Sequence, residues 1–378
     1  MSNPLVDLGP LGQSVWYDSI SRSLIESGDL ARLISEDGLR GMTSNPAIFE
    51  KAISGSQDYA ADLHRHAAAG LTPLQIYEAL AIGDIQAAAD VLRPVFDASK
   101  GADGYVSLEV SPYLADDTQG TIDEALRLAA DVDRPNLMIK VPGTPAGVPA
   151  IEALIGKGLN INVTLLFSQD NYAAVAEAYI SGLEALAVAG GDVHRVASVA
   201  SFFVSRIDVL VDSILAEKLQ EETDATRRAA FEDLLGKVAI ANAKLAYQYF
   251  KQLCAGDRWQ SLASKGARVQ RLLWASTGVK NPDYRDVLYV EQLIGPDTVN
   301  TVPVATFAAF RDHGVAAATL ELDVDDAQRV MTGLVNAGVS MKDITDKLQA
   351  DAVRLFVEPF DKLLAAIESQ SATQSGRG

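Results

Sequence analysis

The chain reads as an α/β protein, a (β/α)₈ TIM barrel with helical insertions, on three observations. Short β-branched or apolar runs alternate with long helical patterns, the arrangement expected of a parallel sheet wrapped by helices. Eight such runs can be counted. Several of them end in a charged or hydroxyl residue, and in this kind of barrel the active site is built at the C-terminal ends of the strands.

The runs are SVWYD (14–18), LRGMTS (39–44), YVSLEV (105–110), LMIKV (137–141), INVTLLF (161–167), RVASVASFF (195–203), RLLWAST (271–277) and TVNTVPV (298–304). Between them, Thr72-Pro73-Leu74-Gln75 predicts a helix start as a capping box with proline at the first helical position, and Thr121-Ile122-Asp123-Glu124 predicts another. Ser168 with Asp170 predicts a capped helix after the fifth run, with acidic charge at the positive end of the dipole. The 378 residues exceed the about 250 of a bare barrel. Much of the surplus lies between the second and third runs and between the sixth and seventh. The latter interval, about 207–259, reads as a helical insertion, and its stretch 239–246 has good helix-forming composition. Helices are expected near 325–336 and 341–368. Residues 1–13 read as an N-terminal arm, 14–368 as one barrel domain whose C-terminal helices span about 325–368, and 369–378 as a flexible tail too polar and small to pack.

Composition narrows the function classes. With 32 cations against 50 anions and no basic stripe, no nucleic-acid footprint is expected. An acidic field repels phosphorylated ligands, so any phosphate site must be locally basic. Cys254 is the only cysteine, which excludes an intrachain disulfide and multi-cysteine metal sites and fits a reducing cytoplasm. The start lacks a basic, then apolar, leader, and nowhere do eighteen apolar residues run together, so a soluble, unexported, cytoplasmic protein without membrane contact is expected. His64 and His66 are two apart, on different sides of a helix, and His194 and His313 are far off, so no metal site is expected. Gly156-Lys157 fails the P-loop pattern and no GxGxxG is present.

Lys140 is a lone cation in Leu137-Met138-Ile139-Lys140-Val141-Pro142. A lysine there gives up hydration, and lost hydration disfavours the ammonium form. Its amine could then attack a carbonyl, as Schiff-base lysines do. The competing reading is an edge-strand lysine that snorkels to water. Asp18 closes the first run, Glu109 sits late in the third and Thr164 lies within the fifth. Singly, each could be a satisfied structural group. Together, one amine, two carboxylates and a hydroxyl at one barrel mouth suit Schiff-base aldol chemistry. Nearby anions favour the ammonium form, so either burial wins or the carboxylates stand off.

The segments LRGMTSNPAIF (39–49), SLEV (107–110), LMIKVPGT (137–144), NINVTLLFS (160–168), SVASFFVSRID (198–208) and LLWASTG (272–278) resemble the transaldolase family of class I aldolases, over nearly the whole chain. Length and WASTGVKNP (274–282) resemble its longer bacterial branch. The resemblance implies that Lys140 forms the imine with a dihydroxyacetone unit, that Asp18 is acid and base, and that Glu109 and Thr164 hold and activate a water. It also implies hydroxyl contacts from Asn45 and Asn162, with Thr43 and Ser201 nearby, and a phosphate held by Arg206 and Ser276. The family's second phosphate-binding arginine is missing, and Lys280, displaced by Thr277-Gly278-Val279, stands close. The expected partners are sugar phosphates, the expected cofactor none, and the expected state monomer or homodimer. The shorter fructose-6-phosphate aldolase branch carries glutamine in place of Glu109 and tyrosine in place of Phe203. An aldolase releasing free dihydroxyacetone, a lysine bound to pyridoxal phosphate and a non-catalytic sugar-phosphate binding protein are the alternatives.

Overall fold

In a computed structural model that describes residues 3–375, eight parallel strands close into a barrel in the order β1-β2-β3-β4-β5-β6-β7-β8. They are β1 Gln13–Tyr17, β2 Gly41–Thr43, β3 Tyr105–Glu109, β4 Leu137–Pro142, β5 Ile161–Leu166, β6 Ser198–Phe203, β7 Gln270–Ala275 and β8 Thr298–Val302. Each matches one apolar run, because a strand walled by helices outside and by its neighbours' side chains inside is buried on both faces. The main difference is at β6: residues Val193–Arg195 form a 3-10 turn, and pairing starts only at Ser198.

Thr72 caps the helix Pro73–Ala98 with the predicted reciprocal bond from Gln75, and Ser168 caps Gln169–Val188. The expected capping box at Thr121 is not formed. Asp117 caps the helix Thr118–Val132 one turn earlier by accepting from Gly120 N–H, while Thr121 donates to the Leu114 carbonyl. Asp117 competes better because it accepts with a full negative charge at the helix start. The interval between β2 and β3 forms the helices Pro46–Ser54, Ala60–Ala68 and Pro73–Ala98.

The interval between β6 and β7 forms Ser205–Glu221, Ala225–Glu232, Val238–Ala255 and Asp257–Ala263. Asp208 ties the first of these to the third: its carboxylate accepts from Ala239 N–H at the start of Val238–Ala255 (2.7 Å) and, from beyond β7, from the Tyr289 hydroxyl (2.9 Å). Burial pushes the Asp208 carboxyl up to about 7.

At the chain's start, Pro4–Asp7 is a short helix that buries Leu5. At its end, Val324–Asn336 is followed by one helix, Met341–Ser375, which runs through the segment expected to be a tail; residues 376–378 of that expectation lie outside the described residues. That last helix buries Ile344, Thr345, Ala352, Phe356, Phe360, Leu363 and Ile367, a stripe at helical spacing. The stripe lies against the helices Pro46–Ser54 and Pro73–Ala98 and against β5. At the opposite, N-terminal end of the barrel, Asp103 receives hydrogen bonds from Ser14, Trp16 and Arg271.

Candidate active site

Strand register decides which side chains meet. Glu109 on β3 is level with Lys140 on β4, and Lys140 is level with Asn162 on β5, so the three stand side by side on one layer. Lys140 Nζ donates to Glu109 Oε2 at 3.1 Å and to the Ser44 carbonyl at 2.9 Å. Both side chains are almost entirely buried. The snorkelling alternative is thereby removed, since the Nζ end points inward and finds protein partners.

Burial raises Glu109 above the usual carboxylate range, and the adjacent Lys140 charge only partly pulls it back. Burial raises Asp18 as well, opposed by a hydrogen bond from Thr43 and by the charges of Lys140 and Lys280. Thr43 Oγ1 lies 2.7 Å from Asp18 Oδ1 and 2.6 Å from Thr301 Oγ1. When Asp18 is ionised, the single hydroxyl hydrogen of Thr43 goes to the carboxylate, so Thr301 must donate to Thr43. A protonated Asp18 can reverse the whole chain.

Above this layer opens a cavity of about 630 Å³. Asp18, Thr43, Asn45, Lys140, Thr164, Ser201, Arg206, Ser276 and Lys280 line it. Glu109 and Asn162 do not; they sit just behind the wall. Asn162 is occupied by protein, accepting from Ser201 at 2.7 Å and donating to Ser107 at 3.1 Å. Asn45 caps the helix Pro46–Ser54 through Oδ1, which accepts from Ile48 N–H, so its amide hydrogens stay available. The Thr164 hydroxyl is buried with no hydrogen-bond partner among the described residues, which a structural threonine would rarely tolerate.

The basic part of the cavity is at β6 and β7. Arg206, at the start of the helix Ser205–Glu221, lies over the Phe203 ring at 5.5 Å. Burial alone pulls its guanidinium below its ordinary value, and among the described residues it has no ion pair. Ser276 follows β7 with φ +56°, a conformation costly for a side-chain-bearing residue, and its hydroxyl meets that of Ser205 at 3.0 Å. Lys280 is exposed, lines the same cavity and is felt electrostatically at Asp18. The displaced lysine therefore reaches the mouth.

A family model described as "Transaldolase/Fructose-6-phosphate aldolase" matches residues 15–367. The chain belongs to this family. It is 47% identical over 372 residues to a protein of Trichodesmium erythraeum named "Transaldolase", covering 98% of each chain. It is 48% identical over 371 residues to "Transaldolase 2" of a Nostoc species, covering 97% of each. A "Transaldolase" of Thiobacillus denitrificans is 49% identical over 361 residues, covering 96% of this chain and 98% of that one. The transaldolase family match thus spans every strand that carries the cavity.

Sequence reasoning missed several residues at the site. Thr301 and Phe356 line the cavity, and Lys140 Nζ sits 5.9 Å from the Phe356 ring centre. Lys51, one and a half turns after Asn45, is a further cation on the wall with no ion pair among the described residues. A polar residue inside the eighth apolar run was the available signal for Thr301. Phe356 carried none, because an aromatic in an amphipathic helix reads as core. Among the described residues no group of three or more histidine, cysteine or carboxylate side chains gathers to hold a metal.

Proposed function

We propose that the protein transfers a dihydroxyacetone unit from sedoheptulose 7-phosphate to glyceraldehyde 3-phosphate, giving erythrose 4-phosphate and fructose 6-phosphate, through an imine on Lys140. The chain is a transferase enzyme with transaldolase relatives along its whole length. The observation that carries the mechanism is the buried Lys140 Nζ, 3.1 Å from Glu109 Oε2, at the floor of a cavity whose other wall holds Asp18.

Lys140 attacks the ketone carbon of the donor, and its departing proton has an acceptor in Glu109, whose raised proton affinity suits the task. The proton returns to the leaving hydroxyl as water departs and the imine forms. Thr164, with an unused hydroxyl beside Lys140, suits holding that water. Asp18 then takes the proton of the hydroxyl on the far carbon of the breaking bond, whose oxygen becomes that of the leaving aldehyde. The bond electrons move into the imine to give an enamine, and the four-carbon aldehyde phosphate leaves. With the acceptor aldehyde bound, the enamine carbon attacks it, and Asp18 returns its proton to the new alkoxide. Water adds to the imine and frees fructose 6-phosphate. Arg206, Ser276 and Lys280 supply the anion site, Asn45, Thr43 and Ser201 the hydroxyl contacts, and Asn162, behind the wall, orients Ser201 by accepting its hydroxyl hydrogen. No organic cofactor or metal enters this scheme.

We further infer action in the cytoplasm on free sugar phosphates, as a monomer or homodimer, without nucleic-acid or membrane partners. The lone Cys254 suits a reducing compartment, and no helix of the described residues is long and apolar enough to cross a membrane. A coupled assay tests the reaction: fructose 6-phosphate should be consumed only when erythrose 4-phosphate is added. Release of dihydroxyacetone at the same rate without an acceptor aldehyde would assign the aldolase reaction instead.

A further inference from the structure

We propose that Gln349, on the C-terminal helix, is a positioning residue that holds the backbone of β5 in the strained form that aims Thr164 at the reacting centre. The idea rests on the Lys140 mechanism above, in which Thr164 holds the water of imine formation.

Leu165, the residue after Thr164, has φ +63°, in the left-handed region. For a leucine this is a strained conformation that persists only where the surroundings impose it. The strain coincides with a register break: β5 pairs regularly with β6 through Val163 and resumes only at Leu166. A bulge at this place re-aims one side chain, and the side chain concerned is the buried Thr164, whose hydroxyl has no hydrogen-bond partner among the described residues.

Two contacts pin the bulge. From β4, Gly143 N–H donates to the Thr164 carbonyl at 2.7 Å. The approach is close: a Cβ on Gly143 would stand 2.5 Å from Leu166 Cδ2 and 3.3 Å from the Thr164 carbonyl oxygen, so the Leu166 side chain would have to move to admit one. From above, Gln349 Nε2 donates one hydrogen to the Leu165 carbonyl (3.3 Å) and the other to the Gly143 carbonyl (3.1 Å). One amide therefore clamps the ends of the lysine strand and the threonine strand together. Half-buried Gln349 lies on the same helix face as buried Thr345, Ala352 and Phe356, and Phe356 from that face walls Lys140. The helix thus both covers the amine and fixes the strand beside it.

The bland account is that Gln349 only docks the helix, and a double-mutant cycle separates the two. Gln349→Met keeps length and helix propensity but removes both donors. With rates expressed per folded molecule, from melting curves taken alongside, kcat and the rate of borohydride-trappable imine formation should fall together by about ten- to a hundredfold, with KM for fructose 6-phosphate within about twofold. In a Thr164→Ala background the same change should cost less than about twofold. Full kcat in Gln349→Met, a loss that vanishes per folded molecule, or an equal loss in both backgrounds overturns the proposal. Failure of the underlying mechanism shows separately, because the unmutated enzyme would then trap no imine.

Discussion

Two ion pairs occupy opposite ends of the same barrel, and they differ in how fully they are satisfied. At the N-terminal end, both oxygens of Asp103 are used, by Ser14, by Trp16 and by Arg271, and Arg271 also reaches the Ser14 hydroxyl and the Ala102 carbonyl. At the mouth, among the described residues, Glu109 receives a single hydrogen bond, from Lys140, and burial leaves it raised. At the same mouth, among the described residues, the buried Thr164 hydroxyl has no hydrogen-bond partner and Arg206 has no counter-ion. A site that binds and reacts must leave donors, acceptors and charges for its substrate, at a cost in stability. The fully engaged Asp103 network supplies stability, and the sparsely engaged Glu109–Lys140 pair supplies chemistry.

The sharpest way to break this contrast is to mutate each end and read both activity and stability. Lys140→Met should lower kcat on the order of 10⁴-fold while the protein still folds, because Glu109 can take up a proton once its partner is gone. Asp103→Ala should do the reverse, costing about 3 kcal/mol of stability by urea unfolding with kcat per folded molecule unchanged. If Asp103→Ala removed activity without loss of stability, the division of labour between the two ends would fail. Arg206→Ala should raise KM for fructose 6-phosphate about 10- to 100-fold, the worth of charge-assisted hydrogen bonds to one phosphate, with a smaller change in kcat. Dihydroxyacetone, which carries no phosphate, should be bound equally by the variant and its parent.

The smallest effect is on pH. Asp18 must be ionised to act as base, so its raised value sets an acidic limb of kcat/KM above the ordinary carboxylate range. The Thr43 hydrogen bond lowers Asp18, so Thr43→Val should raise it further and move that limb to higher pH. A limb that stays in place would take Asp18 out of the rate-controlling proton transfer.

Much of the barrel is legible in the chain because each strand is buried on both faces and so appears as a short apolar run. Lys140, Glu109 and Asp18 stand out for the same reason, as charges in runs that exclude charge. What stays hidden are contacts between residues far apart in sequence. Nothing near Thr301 tells that its hydroxyl meets Thr43, 258 residues away. Gln349 lies 184 residues from Leu165, and the left-handed turn there has no glycine to announce it. Lys280 reads as displaced from the phosphate-binding position, yet the loop after β7 returns it to the cavity. The capping box at Thr121 was outcompeted by Asp117, four residues upstream, a choice set by which acceptor the preceding turn delivers.

The central claim is that Lys140 forms the covalent intermediate. It is tested by incubating the protein with fructose 6-phosphate, reducing with borohydride and mapping the modified peptide by mass. The predicted result is a dihydroxyacetone-derived adduct on Lys140 at one per chain, absent in Lys140→Met. An adduct on another lysine such as Lys51 or Lys280, or turnover with no adduct, would contradict it.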